Sequence, residues 1–136
     1  MFGNKKGSTK IDSLIGQGTT LTGNIAFSGG LRIDGRVEGD VLAADRKNGT
    51  LVISEKAVIT GAVQCSHLIL NGEINGPIEV SKYVELQPKA RVNGDLSYQT
   101  LEMHAGAVIQ GRLVHLANGQ RVEVDPASIE PVKEAN

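Results

Sequence analysis

Aromatic side chains are scarce in this sequence, with two Phe, two Tyr and no Trp among 136 residues. A surface that stacks nucleobases needs several flat rings. A formal net charge of −1 gives no general attraction to a phosphate backbone either. Nucleic acid is therefore not an expected partner. Cysteine is nearly absent. Cys65 stands alone, which excludes an intramolecular disulfide framework and suits a reducing compartment. No apolar run approaches the roughly 20 residues of a membrane-spanning helix, and no stretch reads as a secretory signal peptide. The expected location is the cytoplasm. No window holds a helical period, so the chain is expected to be all-β.

The usual chemical constellations are missing too. No glycine-rich loop carries the phosphate-binding spacing followed by Lys and Ser/Thr, so no nucleotide or other cofactor is expected. The three histidines, His67, His104 and His115, fall at different places relative to the nearest recurring glycine and do not form one column. No catalytic set and no metal site is expected, and the chain is not expected to be an enzyme. Asp34, Asp40 and Asp95 sit beside glycines, where turn chemistry alone accounts for them.

What is abundant is a five-residue pattern, apolar–x–Gly–x–apolar. It occurs six times, centred on Gly23, Gly39, Gly61, Gly76, Gly94 and Gly111. The spacings are 16, 22, 15, 18 and 17 residues. Self-similarity at such a period marks a stacked architecture, because one short unit cannot bury its apolar face alone. A second apolar pair precedes each glycine from the second copy on: Leu31/Ile33, Leu51/Ile53, Leu68/Leu70, Val84/Leu86 and Leu101/Met103. A mostly apolar position follows four residues after it: Phe27, Ala43, Cys65, Val80, Tyr98 and His115. This alternation has period two, the mark of half-buried strands. A unit of about 18 residues holds three short strands and three corners, so the chain should wind as a three-sided parallel β-solenoid of about six coils. The recurring glycine belongs at a corner, since Pro77 follows one copy and a proline inside an interior strand deletes a ladder bond. Short coils turn at Asp34-Gly35 and Asn71-Gly72, and the others use two more residues there. The stretch Ala43–Gly49 is expected to be a charged corner loop. Cys65 should be an inert core thiol.

Residues 1–10 have no periodicity and no acidic residue. They read either as a disordered solubilising arm or as a peripheral membrane tether, with Phe2 inserting at the interface and Lys5, Lys6 and Lys10 drawn to anionic lipid. The solenoid core is expected over residues 11–124, with Val122-Glu123-Val124 as the entry strand of an incomplete seventh coil. Residues 125–136 should be a disordered tail. No capping helix is visible at either end of the core. Ile11, Leu14 and Ile15 at one end, and Leu113, Val114 and Leu116 at the other, are therefore expected to stack subunits end to end. Midway along the rod, Val52 and Ile69 should be exposed neighbours in an outward column with Arg32, Glu85 and Glu102, either as ordinary scattered surface apolars or as a lateral or partner patch.

These residues together resemble the bactofilins. The likeness rests on the six glycine motifs, the tight turn Asp34-Gly35-Arg36-Val37-Glu38-Gly39, the basic arm Met1-Phe2-Gly3-Asn4-Lys5-Lys6 and the proline-containing tail. It covers residues 11–116 and the arm. The resemblance implies a right-handed β-helix and bacterial cytoskeletal filaments that assemble through the helix ends without nucleotide. It implies attachment to the inner face of the cytoplasmic membrane through Met1, Phe2, Lys5 and Lys6. It further implies a scaffold for cell-wall synthesis or hydrolysis proteins or for polarity proteins, influencing cell shape. Where the family often places an aromatic at the end contact, this chain has His115 and Leu116.

The competing reading is a hexapeptide-repeat enzyme, an acyltransferase or a carbonic anhydrase. Such coils need an apolar residue at every sixth position. Here the step from Leu70-type to Ile74-type positions is four residues in short coils and six in long ones. A secreted adhesin-like solenoid is a second competitor, disfavoured by the lack of a signal peptide.

Overall fold

The computed structural model describes residues 10–45, 48–117 and 120–124. Among them there are sixteen strands and no helix. The first coil is β1 (Ser13–Ile15), β2 (Thr20–Thr22) and β3 (Ile25–Phe27); the second is β4 (Gly29–Ile33), β5 (Arg36–Glu38) and β6 (Val41–Ala43). From the third coil on, the second and third faces are joined by strands that bend across the corner. β7 (Gly49–Ile53) and β8 (Val58–Thr60) lead into β9 (Val63–Leu70); β10 (Glu73–Asn75) leads into β11 (Ile78–Leu86); β12 (Arg91–Asn93) leads into β13 (Leu96–Met103). The sixth coil closes with β14 (Val108–Gln110) and β15 (Leu113–Ala117), and β16 (Gln120–Val124) follows.

Every strand pairs in parallel with its equivalent one coil away, except the final pair. The period-two alternation is the cause. A strand buried on one face and stacked on copies of itself keeps its register, because a one-residue slip would turn every apolar side chain outward. Leu21, Val37, Ile59, Ile74, Val92 and Ile109 form one inward column on the first face. On the third face Ile15, Ile33, Ile53, Leu70, Leu86 and Met103 form another. Val37, Ile59, Ile74 and Val92 are wholly buried. Cys65 lies in an inward column beside Val80, as the sequence implies.

The recurring glycines form a corner ladder. Gly39, Gly61, Gly76 and Gly94 have φ between 150° and 154°. A Cβ on any of them would strike the carbonyl of the corner glycine in the preceding coil. Only glycine admits backbone stacking that close. The residue after the glycine ties the corner further. Asn24 Oδ1 accepts from the Asp40 N–H and Asp40 Oδ1 from the Ala62 N–H, both at 2.9 Å. Ala62 has no side-chain acceptor, and the residue stacked on it is Pro77, which has no N–H to offer. Asp95 resumes the pattern by accepting from the Arg112 N–H at 3.0 Å.

Coil length varies at the other corners. The longer coils turn through four residues closed by a backbone bond, as in Ala57 N–H to the Ser54 carbonyl at 3.0 Å and Ala90 N–H to the Gln87 carbonyl at 2.9 Å. β11 carries one extra residue between Val80 and Tyr83, a bulge absent from its neighbours. The longest spacing reflects the stretch before β7. Its return to the ladder is held by the fully buried Ser66 hydroxyl, which accepts from the Gly49 N–H and donates to the Gly49 carbonyl, each at 2.9 Å.

One expectation is overturned here. Val122–Val124 does not begin a seventh coil. β16 runs antiparallel to β15, pairing Leu113 with Val124 and Ala117 with Gln120. Only two residues separate Ala117 from Gln120, and a two-residue connection can join antiparallel neighbours but not parallel ones.

Candidate assembly surfaces

The two ends of the rod differ. At the N-terminal end β1, β2 and β3 pair only with β4, β5 and β6 among the described residues, so three strand edges are open. At the C-terminal end, among the described residues, β14 pairs only with β12, and the Thr100–Met103 half of β13 only with β11. The third edge, that of β15, is covered by β16.

The apolar columns are cut at the same places. Ile15 and Ile25 at one end, and Leu101, Met103, Ala107 and Ile109 at the other, pack on the core but are only partly buried. Their equivalents inside the rod, such as Ile33, Val41, Leu86 and Val92, are wholly buried. The side chains are of the same kind; what is missing is the next coil. Among the described residues, each end therefore offers unpaired parallel edges around partly buried core side chains.

Of the end residues expected from sequence, Ile15 is partly buried against the core in the first coil, and Ile11 is 38% exposed. Leu14 is 61% exposed, yet it is the register partner of Arg32 and so heads the lateral outward column. Leu113 is wholly buried, because its inward position in β15 sits over Leu96. It is core, not contact surface. Val114 and Leu116 are half-buried on β15, within the hairpin that β16 completes. Leu21, Ile25, Leu101, Met103 and Ile109 were read as repeat positions but not as end residues. The signal was available: they are the first and last members of the inward columns.

The outward column runs Leu14, Arg32, Val52, Ile69, Glu85 and Glu102 in register, as the repeat implies. Val52 and Ile69 are half-buried, not fully exposed. They form the apolar floor of a groove of about 510 Å³, with Arg32, Asp34, Glu55 and Lys56 among its charged lining. Arg32 donates to Asp34 at 2.8 Å within that lining. Met1, Phe2, Lys5 and Lys6 lie outside the described residues.

The titratable groups are held in specific environments. Burial pushes the Cys65 thiol up to about 12. Burial, then the positive charge of Lys82, holds His67 below its ordinary value and so neutral. His115 stacks against Tyr98 with ring centroids 5.4 Å apart, and its Nε2 lies 2.9 Å from the Gln99 carbonyl oxygen. His104 reaches Glu85 and Glu102 on the outward column. Tyr83 donates its hydroxyl to Glu102, and its ionisation is pushed upward by burial first and that hydrogen bond second. The sequence reading expected no such grouping. No helix of the described residues is long and apolar enough to cross a membrane.

Comparison with known proteins agrees with this architecture. The bactofilin family model, described as polymer-forming cytoskeletal, matches residues 13–114. Bactofilin BacP of Myxococcus xanthus (strain DK1622) is 26% identical over 107 residues, covering 78% of this chain and 43% of that relative. The chain thus matches less than half the length of that protein. No solved structure matches. The glycine ladder, the coil register and the family match lie on the same residues, and the chain belongs to the bactofilins, a family of polymer-forming cytoskeletal proteins.

Proposed function

We propose that this chain assembles end to end into filaments without nucleotide, and that its N-terminal segment holds those filaments on the inner face of the cytoplasmic membrane. There they act as a scaffold for cell-wall or polarity proteins and so influence cell shape. The observation that carries the assembly reading is the pair of unfinished ends. Ile15, Leu21 and Ile25 at one, and Leu101, Met103 and Ile109 at the other, are half-buried core residues framed by open parallel edges. Such edges are templates for further strands. A second subunit placed there continues both the ladder and the apolar columns at the ordinary strand spacing of about 4.8 Å. That joint needs no bound nucleotide, and repeating it without closure gives a filament.

Membrane attachment rests on Met1, Phe2, Lys5 and Lys6. Each lysine contributes about 1 kcal/mol near an anionic surface, too little for one arm to bind firmly. Many arms along one filament multiply that attraction. The groove over Val52 and Ile69 is the surface we assign to lateral or partner contacts.

Negative-stain electron microscopy without nucleotide tests the assembly. The full chain, a chain lacking residues 1–10 and Val52→Lys should all form filaments, whereas Ile109→Lys should give short species. Compact particles from the full chain overturn the assembly reading. Filaments from Ile109→Lys move the joint elsewhere. Co-sedimentation with anionic vesicles tests the tether: the full chain should pellet and the truncated chain should not, and equal pelleting refutes it.

A further inference from the structure

We infer that Glu85, Glu102 and His104 form a binding site for a divalent transition cation of the zinc type, which staples the last two coils together. This goes beyond the assembly reading and does not depend on it.

The site arises from the repeat. Glu85 and Glu102 occupy the same outward position in successive coils and are direct register partners across β11 and β13. Two carboxylates opposite one another on neighbouring strands repel. Every other pair in that column avoids this, since Leu14, Arg32, Val52 and Ile69 are not acids. His104 lies two residues beyond Glu102, at the end of the strand. Its Nε2 lies 2.9 Å from Glu102 Oε2 and 3.3 Å from Glu85 Oε2, so one nitrogen faces both carboxylates.

The donor atoms of the three residues all lie within 4.8 Å of one another. In a tetrahedral zinc site with bonds of about 2.0–2.1 Å, donors stand about 3.3 Å apart. The His104–Glu85 spacing already matches, and a small side-chain rotation brings Glu102 into line. One imidazole with two carboxylates is a donor set for a first-row transition ion, not for a cation that takes oxygen alone. The carboxylates are also oriented from outside. The Tyr83 hydroxyl donates to Glu102 Oε1, leaving Oε2 toward His104, and the Gln87 amide donates to Glu85 Oε2 at 3.2 Å. Partners of this kind fix ligand direction in metal sites. The His104 side chain is 14% exposed, that of Glu85 23% and that of Glu102 36%, so the three donors are partly shielded from water.

The cation would join β11 to the end of β13, whose outer edge is one of the two open edges at the C-terminal end. Binding therefore stiffens the end of that strand.

Isothermal titration of the metal-stripped full chain with Zn²⁺ tests the site. One ion per chain should bind, and Mg²⁺ should not. His104→Gln and Glu102→Gln should each weaken binding at least about tenfold, and Tyr83→Phe about tenfold through loss of orientation. His115→Gln should bind like the parent. Circular dichroism confirms that each variant is folded; Glu102→Gln keeps the shape of a partly exposed side chain, so it serves if His104→Gln unfolds. Absence of Zn²⁺ binding, equal binding of Mg²⁺, or parental Zn²⁺ affinity in folded Glu102→Gln overturns the inference.

Discussion

Replacing Gly76 with Ala should damage the protein far more than replacing Gly23 with Ala, although both occupy the same place in the repeat. Both glycines have positive φ, +154° and +125° respectively. An alanine held in such a region costs about 1–3 kcal/mol. At Gly23 that is the whole cost, because nothing lies within 4 Å of the added Cβ. At Gly76 the Cβ would press on the Gly61 carbonyl, with the Gly61 carbon at 2.7 Å and the Ala62 nitrogen at 3.4 Å. These are backbone atoms held in the ladder and cannot swing aside. Overpacking of this kind adds about 1–3 kcal/mol. The totals are roughly 1–3 kcal/mol for Gly23→Ala and roughly 2–6 kcal/mol for Gly76→Ala. At about 4 °C per kcal/mol for a domain of this size, Tm falls by roughly 4–12 °C and 8–24 °C. Melting should be followed by circular dichroism in the Ile109→Lys background, since assembly makes Tm depend on concentration. Equal losses at the two sites would refute the reasoning, as would a Gly76→Ala protein as stable as its parent. In either case the corners would not be stacked backbone to backbone.

Two further outcomes follow from the titratable groups. The Asp95 carboxyl is held below its ordinary value, first by the Arg112 backbone N–H and then by the Arg112 side chain. An acid with a lowered folded value contributes stability above its unfolded value of about 3.9 and loses it as pH falls through the folded one. Urea midpoints for the parent and Asp95→Ala should therefore differ by a constant amount near neutrality and converge below about pH 4; a gap that widens on acidification contradicts this sign. The buried Cys65 thiol, pushed up to about 12, should react with Ellman's reagent at pH 8 on the order of a thousandfold more slowly in the folded chain than in denaturant. Comparable rates would place Cys65 outside the core.

The repeat made much of the fold legible. Inward and outward sides follow from a period of two, which is local, so the columns from Leu21 to Ile109 and from Arg32 to Glu102 could be written down before any coordinates. The corner role of Gly76 was legible because Pro77 cannot sit in an interior ladder. Asn118-Gly119, a strong hairpin pair, also carried the information that the chain reverses after β15, but the regularity of the preceding coils outweighed it. The candidate ends were only half legible. Ile15 is partly buried in the first coil, whereas Leu113, expected at an end, is wholly buried, because the pattern marks which side chains point inward and not which coil lacks a neighbour.

The sequence by itself determined the coil, its register and its corners, since strand parity and glycine sterics act within a few residues. Only the tertiary structure decided where the rod stops. It placed β16 over one of three edges at the C-terminal end and, among the described residues, left the edges beside Met103 and Ile109 open. It also brought His104 to Glu85, nineteen positions earlier in the chain. Burial at an end and the meeting of side chains from successive coils depend on what is stacked above and below, and that is a property of the assembled coils, not of any one of them.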